Sequence, residues 1–182
     1  QLKQQGNLRQ FTSNIQHGRT IQINGQSMLN LSSNDYLGLA SDLHLREQFF
    51  DQTPNDLRVM SSSSSRLLTG NFPEYEQLEA SLSQAFYGRS ALLFNSGYHM
   101  NIGILPALSD ARTLILADKL IHASMIDGIR LSSAKYVRYR HNDLNHLSQL
   151  LQQYHPDESF DRIMMVTESI FTMDGDETDL SE

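Results

Sequence analysis

The chain has 182 residues, of which 39% are hydrophobic and 19% are charged, with a formal net charge of −7 and a pI near 5.4. This composition is typical of a globular protein, and the acidic balance argues against a protein that binds the nucleic-acid backbone. The lack of cysteine excludes disulfides, thiolate catalysis and cysteine zinc sites, and no apolar run approaches the roughly 20 residues that cross a bilayer. We therefore expect a cytoplasmic protein without nucleic-acid or membrane partners.

The first 40 residues carry two local patterns. A loose helical spacing is shown by Leu2, Leu8, Phe11 and Ile15. Residues 20–23 and 28–31 then predict two strands around Asn24-Gly25, a pair suited to a type I′ turn because both residues must take a positive φ. We expect an N-terminal segment over residues 1–40 that contains this β-hairpin, followed by an incomplete larger domain over residues 41–182.

Two helices are predicted in the next stretch. Residues 42–51 predict a short helix. A second helix is predicted to begin at Pro73, because Asn71 can cap it and Glu74 places an acid in its first turn. The apolar stripe of this helix, which we expect to be buried, consists of Tyr75, Leu78, Leu82 and Phe86.

From residue 91 onwards, short apolar runs alternate with helical patterns. Strands are predicted at 91–94, 113–117, 136–139 and 163–167, and helices at 98–105, 122–131 and 144–154. This alternation predicts βαβ units and a mostly parallel sheet covered on both faces, which is an α/β fold of three layers. Ligands in such folds bind beyond the carboxyl ends of the strands. Three polar segments fall there, at residues 95–98, 118–122 and 168–176.

Each of these segments has a functional interpretation and a plainer one. Gly97 follows a strand and opens a helix, so its backbone could receive a phosphate, or it could form an ordinary turn. His122 could meet a ligand at a helix start, or it could cap the helix. The carboxylates of residues 168–176 lack the spacing of a calcium loop, so we expect no metal there but a tight turn that directs Thr172 or Glu168 towards the site.

Five motifs in order resemble the α-oxoamine synthase family. They are residues 30–39 (NLSSNDYLGL), 65–71 (SRLLTGN), 93–98 (LFNSGY), 117–124 (ADKLIHAS) and 166–176 (VTESIFTMDGD). The resemblance covers the chain from about Leu8 onwards. It implies the aminotransferase-like α/β/α fold called fold type I, a homodimer, and pyridoxal 5'-phosphate as cofactor. The family joins an amino acid to an acyl-CoA or a related thioester, with loss of carbon dioxide and the free thiol.

The resemblance also assigns roles to residues of the cofactor site. Gly97 and Tyr98 match positions that contact the cofactor phosphate. His122 matches the catalytic histidine that stacks on the pyridine ring and contacts the amino-acid substrate. Thr172 stands where the family usually has serine, and Glu168 is expected beside the cofactor.

Two further residues are assigned to the acyl substrate. Arg9 aligns with an arginine that meets the acyl chain, and Asn34 aligns with a polar contact to it. The lysine that binds the cofactor covalently is not matched by Lys3, Lys119 or Lys135. We therefore expect that lysine beyond residue 182, and this chain alone to be inactive.

The motifs look closest to the branch of the family that condenses L-alanine with a pimeloyl thioester in biotin biosynthesis. Glycine C-acetyltransferase and 5-aminolevulinate synthase are the alternatives within the family. A catalytically inactive paralogue that serves as a structural partner subunit is the alternative outside the enzyme class. The sequence beyond residue 182 would distinguish them.

Overall fold

A computed structural model describes residues 4, 8, 11–58, 61–155 and 159–180 of the chain. The chain forms two compact units, Gln1–Phe72 and Pro73–Glu182. Among the described residues, no helix combines the length and the apolar character needed to span a membrane.

Three strands form an antiparallel sheet in the first unit. They are β1 (Asn14–His17), β2 (Thr20–Ile23) and β3 (Gln26–Leu29), paired in that order. The predicted hairpin is confirmed: Asn24 and Gly25 join β2 to β3 with φ angles of 52° and 78°, as a type I′ turn requires.

The helix predicted at the N-terminus is wrong over Ile15, which pairs with Gln22 in β1. A second two-residue turn, Gly18-Arg19, joins β1 to β2, with Gly18 at a φ of 55°. Residues 14–17 contain a single apolar residue, so no alternation marked them as a strand. Leu2 lies outside the described residues.

The predicted helix at residues 42–51 is confirmed as α1 (Leu43–Gln52). Its start is set by Asp42, whose carboxylate accepts a hydrogen bond from the amide of Leu45 at 2.9 Å. Short 3₁₀ turns lie on either side, at Leu39–Ser41 and Asn55–Leu57.

The second unit alternates helices and strands along the chain. In order, its elements are α2 (Pro73–Ala85), α3 (Gly97–Leu108), β4 (Thr113–Asp118), α4 (Ala123–Leu131), β5 (Lys135–Tyr139), α5 (Leu144–Tyr154) and β6 (Arg162–Val166). The three strands form a parallel sheet in the order β5-β4-β6. In this register, Ile115 lies opposite Tyr136 of β5 and Met164 of β6.

The core lies on both faces of β4, all six residues of which are buried. On one face, Ile115 and Ala117 pack with Leu105 of α3 and Ile129 of α4. On the other face, Leu114 and Leu116 pack with Leu150 of α5 and Tyr139. The predicted α/β/α layering with a parallel sheet is therefore confirmed.

Two expectations about this unit are wrong. Residues 91–94 form no strand and pair with none in the described part of the chain. The apolar stripe of α2 is not buried, since Leu78 is 50% exposed and Phe86 is 62% exposed. Both segments have apolar faces suited to their predicted roles, yet no element of the described chain packs closely against α2.

Candidate functional site

The first turn of α3 presents two open backbone amides. The hydroxyl of Ser96 caps the helix by accepting a hydrogen bond from the amide of His99 at 3.2 Å. Within the described residues, the amides of Gly97 and Tyr98 have no partner, and a side chain added at Gly97 would meet nothing within 4 Å. Open amides at the positive end of this 12-residue helix suit an anion such as a phosphate.

His122 is the N-cap of α4, and its ring is held in one orientation. Nδ1 of His122 accepts a hydrogen bond from the amide of Ser124 at 3.2 Å and lies 2.7 Å from the Ser124 hydroxyl. Asn101 of α3 donates to that hydroxyl at 2.9 Å. Because a backbone amide can only donate, Nδ1 is an acceptor, and the proton of the neutral ring is on Nε2. The structure thus shows the capping role. Because His122 is exposed, its Nε2–H can still donate to a ligand.

Helices α3 and α4 pack closely, and this contact holds their first turns near each other. The hydroxyl of Tyr98 lies 3.5 Å from Oδ2 of Asp127, beside the contact between Asn101 and Ser124. A Cβ added at Gly128 would lie 2.3 Å from the carbonyl oxygen of Asn101, so only glycine permits this approach.

Glu168, after β6, connects the carboxyl ends of two neighbouring strands. Its Oε1 accepts a hydrogen bond from the backbone amide of His122 at 2.5 Å. A small cavity of about 110 Å³ lies here, lined by Leu120, His122, Glu168, Phe171, Thr172, Met173 and Asp174. The structure therefore brings together three of the residues that the sequence assigned to one site, namely His122, Glu168 and Thr172.

The acidic stretch that follows forms the expected tight turn. Gly175 has a φ of 77°, its amide donates to the carbonyl of Phe171 at 2.7 Å, and the amide of Phe171 donates to the carbonyl of Asp176 at 2.9 Å. Across the ranges that the structure describes, no group of three or more His, Asp or Glu side chains could hold a metal ion.

The two residues assigned to the acyl substrate lie elsewhere in the chain. Asn34 is an exposed residue in a bend of the first unit, and Arg9 lies outside the described residues. Their proposed contacts stay predictions.

A cluster that the sequence did not predict adjoins Phe171, one of the residues that line the cavity. The ring of His141 lies between two carboxylates, with Nδ1 2.9 Å from Oδ1 of Asp118 and Nε2 2.6 Å from Oδ2 of Asp176. The hydrogen bond to Asp118 raises the pKa of His141 above its ordinary value of 6.5. The hydrogen bond from His141 in turn lowers the pKa of Asp176 below 3.8. His141 follows β5, so the rule that placed the other loops at strand ends also indicates this one.

Comparison with known proteins places this architecture in a family. The family model for class I and II aminotransferases matches residues 26–182, most of the chain. The chain belongs to the class I and II aminotransferase family. Its parallel sheet, with helices on both faces, is the part of that fold that the second unit contains.

Curated relatives in this family cover the entire chain. A protein of Pasteurella multocida (strain Pm70), provisionally named 8-amino-7-oxononanoate synthase, is 58% identical over 181 residues, which are 100% of this chain and 46% of that protein. A Haemophilus influenzae protein with the same provisional name is 55% identical over 182 residues, 100% of this chain and 47% of that protein. The chain thus spans about half the length of the curated relatives it matches.

Solved structures in the family resemble the chain as well. A serine palmitoyltransferase from S. paucimobilis with a bound PLP–myriocin adduct superposes with a TM-score of 0.78 at 26% identity, covering 94% of this chain and 42% of that one. The 8-amino-7-oxononanoate synthase of Francisella tularensis superposes with a TM-score of 0.62 at 32% identity, covering 82% of this chain and 39% of that one.

Proposed function

We propose that the protein is a pyridoxal-phosphate-dependent acyltransferase that condenses L-alanine with pimeloyl-CoA or a pimeloyl-carrier thioester to give 8-amino-7-oxononanoate, in biotin biosynthesis. The observation that carries the proposal is the meeting of His122, Glu168 and Thr172 at the carboxyl ends of β4 and β6. The 58% identity to the Pasteurella multocida protein supports the choice of reaction.

The residues present fit pyridoxal phosphate. The open amides of Gly97 and Tyr98, with free space above Gly97, suit the phosphate. The exposed, fixed ring of His122 offers a flat face to a pyridine ring. When bound, the cofactor supplies an electron sink for the carbanion chemistry of the reaction.

This chain's residues hold and orient the reactants. In this proposal, Nε2–H of His122, whose ring is oriented by Ser124, donates to the carboxylate of the amino acid, and Thr172, which lines the same cavity, contributes its hydroxyl. Arg9 and Asn34 contact the acyl chain in this proposal, and the active protein is a homodimer in the cytoplasm.

Lys135 lies in surroundings that do not suit covalent attachment of the cofactor. Nζ of Lys135 lies over the rings of Tyr154 and Phe160, 5.2 Å and 5.4 Å from their centres. Lys135 begins β5, and the amino end of a parallel strand is opposite the end where His122 lies. The sequence around Lys3 and Lys119 does not match the family's attachment motif either, so we expect the attachment lysine outside this chain.

The proposal is tested by kcat/KM of the full-length protein for L-alanine and glycine, each with pimeloyl and acetyl thioesters. We expect the highest value for L-alanine with the pimeloyl thioester, because each buried CH₂ of the longer chain contributes up to about 0.8 kcal/mol. Arg9→Ala should lower kcat/KM for the pimeloyl substrate more than for the acetyl one.

Equal or better activity with glycine and acetyl-CoA would identify an acetyltransferase instead. No activity with any pair, in a protein that binds the cofactor, would favour a structural partner subunit.

A further inference from the structure

The loop after β5 bridges two carboxylates that belong to different parts of the second unit. Asp118 ends β4 and is fully buried, whereas Asp176 lies in the turn that follows β6. His141 reaches both of them, one with each ring nitrogen. A carboxylate accepts hydrogen bonds, so both nitrogens donate, and the ring that makes these two contacts is the imidazolium cation.

Asn142 repeats the same bridge. Its backbone amide donates to Oδ2 of Asp118 at 2.9 Å, and its side-chain amide donates to Oδ2 of Asp176 at 3.0 Å. The hydroxyl of Thr178 then donates to the side-chain oxygen of Asn142 at 2.8 Å. Two consecutive residues thus connect the ends of β4 and β5 to the segment after β6.

The loop that carries His141 also supplies the donors that meet Asp176. Oδ1 of Asp176 is buried and has no hydrogen-bond partner in the described part of the chain. The side chain of Asp176 is 41% exposed as a whole, and its donors from His141 and Asn142 both meet Oδ2, so removing them leaves a partly buried carboxylate with fewer partners.

The cluster is in contact with the cavity through Phe171. The ring of His141 meets the ring of Phe171 edge to face, with centres 4.5 Å apart. Phe171 is 2% exposed, and it lines the cavity together with Thr172 and His122. Moving the His141 loop would therefore move a wall of the site.

We propose that the His141 imidazolium is a positioning residue: it fastens residues 168–176 to the carboxyl ends of β4 and β5, and so holds Thr172 and Glu168 beside His122. Only the effect of His141 on kcat rests on the proposed function. The attachment of residues 168–176 to the strand ends needs no ligand and can be tested without it.

Asp118 from β4 and Asp176 from the last segment are the charged groups that face the ring among the described residues. The neighbouring Arg140 pairs with Asp143 at 2.7 Å, and the backbone amide of Arg140 donates to the ring of His146 in α5 at 2.9 Å.

The pKa of His141 is raised in the folded state, so the contribution of His141 to stability is full below about pH 6.5 and is lost as pH rises through the raised pKa. The pKa of Asp176 is lowered, so its contribution is present above about pH 3.8 and is lost as pH falls through the lowered pKa.

The test compares the full-length protein with its His141→Gln and Asp176→Asn variants between about pH 5 and about pH 9. Glutamine keeps a donor but removes the charge. His44→Gln is the matched control, because His44 is exposed on α1. We expect His141→Gln to lower the Tm by at least about 2 °C near pH 6, with the difference disappearing above the raised pKa. His44→Gln should show no pH-dependent difference.

Two further measurements separate positioning from mere packing. Nitrogen NMR of histidine-labelled protein should show both ring nitrogens of His141 losing their proton at a higher pH than those of His44, and Asp176→Asn should shift the His141 titration to lower pH. His141→Gln should reduce kcat about tenfold with a smaller change in KM.

A decrease in Tm that is the same at every pH, or a titration of His141 at its ordinary pKa, would overturn the inference. If His141→Gln does not fold, the titration shift in Asp176→Asn decides. Stability and titration as expected, in a wild type that lacks all activity, would leave the fastening intact and remove the proposed function.

Discussion

His122 combines two tasks that different side chains could perform separately. Its Nδ1 caps α4 through the amide of Ser124, and its exposed ring is proposed to meet the cofactor. Asparagine is among the preferred capping residues and has no aromatic face. A substitution can therefore remove one task and keep the other.

We expect His122→Asn to lower kcat of the full-length protein about 10- to 100-fold, which corresponds to about 1.4–2.7 kcal/mol, without changing the Tm. His122→Ala should lose the same activity and also about 1 kcal/mol of stability, because it removes the cap. Steady-state kinetics and thermal unfolding of both variants give the comparison. Wild-type kinetics in His122→Asn would limit His122 to its capping role.

For individual residues, the sequence is informative wherever a residue's role follows from its neighbours in the chain. His122 and Gly97 were located because each follows a short apolar run and precedes or opens a helix. His141 was not, because its partners lie 23 and 35 residues away, and a histidine in a polar stretch gives no sign of which carboxylates will surround it.

The contact between α3 and α4 depends on the absence of a side chain at Gly128. The carbonyl oxygen of Asn101 occupies the place that a Cβ would take, at 2.3 Å. Gly103, on α3, is a helical glycine with ordinary room, since an added Cβ there would meet only the ring of Phe94, at 3.6 Å. The two positions form a matched pair.

We expect Gly128→Ala to lower the free energy of unfolding by about 1–3 kcal/mol, because the helices must separate. Gly103→Ala should instead be neutral or stabilising by up to about 1 kcal/mol, since alanine favours a helix more than glycine does. Urea unfolding of both variants provides the measurement. Equal effects at the two positions would mean that the close approach does not limit the packing.

The helices with clear local signals and the three strands of the parallel sheet were predicted well, whereas the neighbours of two other apolar segments were not. The hydrophobic period and the capping residues located α1, α4 and α5 to within a residue or two. The stretch at residues 91–94 has the composition of a strand, but a strand also needs a neighbour, and sequence pattern does not supply one. The unburied stripe of α2 has the same cause.

An apolar groove between β6 and α5 is open in this chain, which is shorter than the proteins it resembles. A groove of about 510 Å³ runs along this strand and α5, with Met165, Leu151 and Leu180 among its lining residues. Met165 is 58% exposed. Because the relatives are about twice as long as the matched part, we expect further residues of the full-length protein to cover this groove.

The isolated 182-residue chain should therefore bind more of the hydrophobic dye ANS than an equimolar amount of the full-length protein. Met165→Lys should reduce dye binding by the isolated chain, yet destabilise the full-length protein by about 3 kcal/mol, because it buries an unpaired charge. Gln152→Lys, at an exposed position of α5, controls for the added charge. Equal dye binding by the two proteins would contradict a covered groove.

The strand order β5-β4-β6 also has a consequence for the time course of synthesis. β4 is the first strand of this sheet to leave the ribosome, and it becomes the central one. β5 can then add to one edge and β6 to the other, so none of these three strands has to be inserted between two that are already paired. Each addition closes a loop of moderate length through a single crossover helix. A nascent chain can thus build this sheet outwards in the order in which its residues appear, with the most deeply buried strand made first.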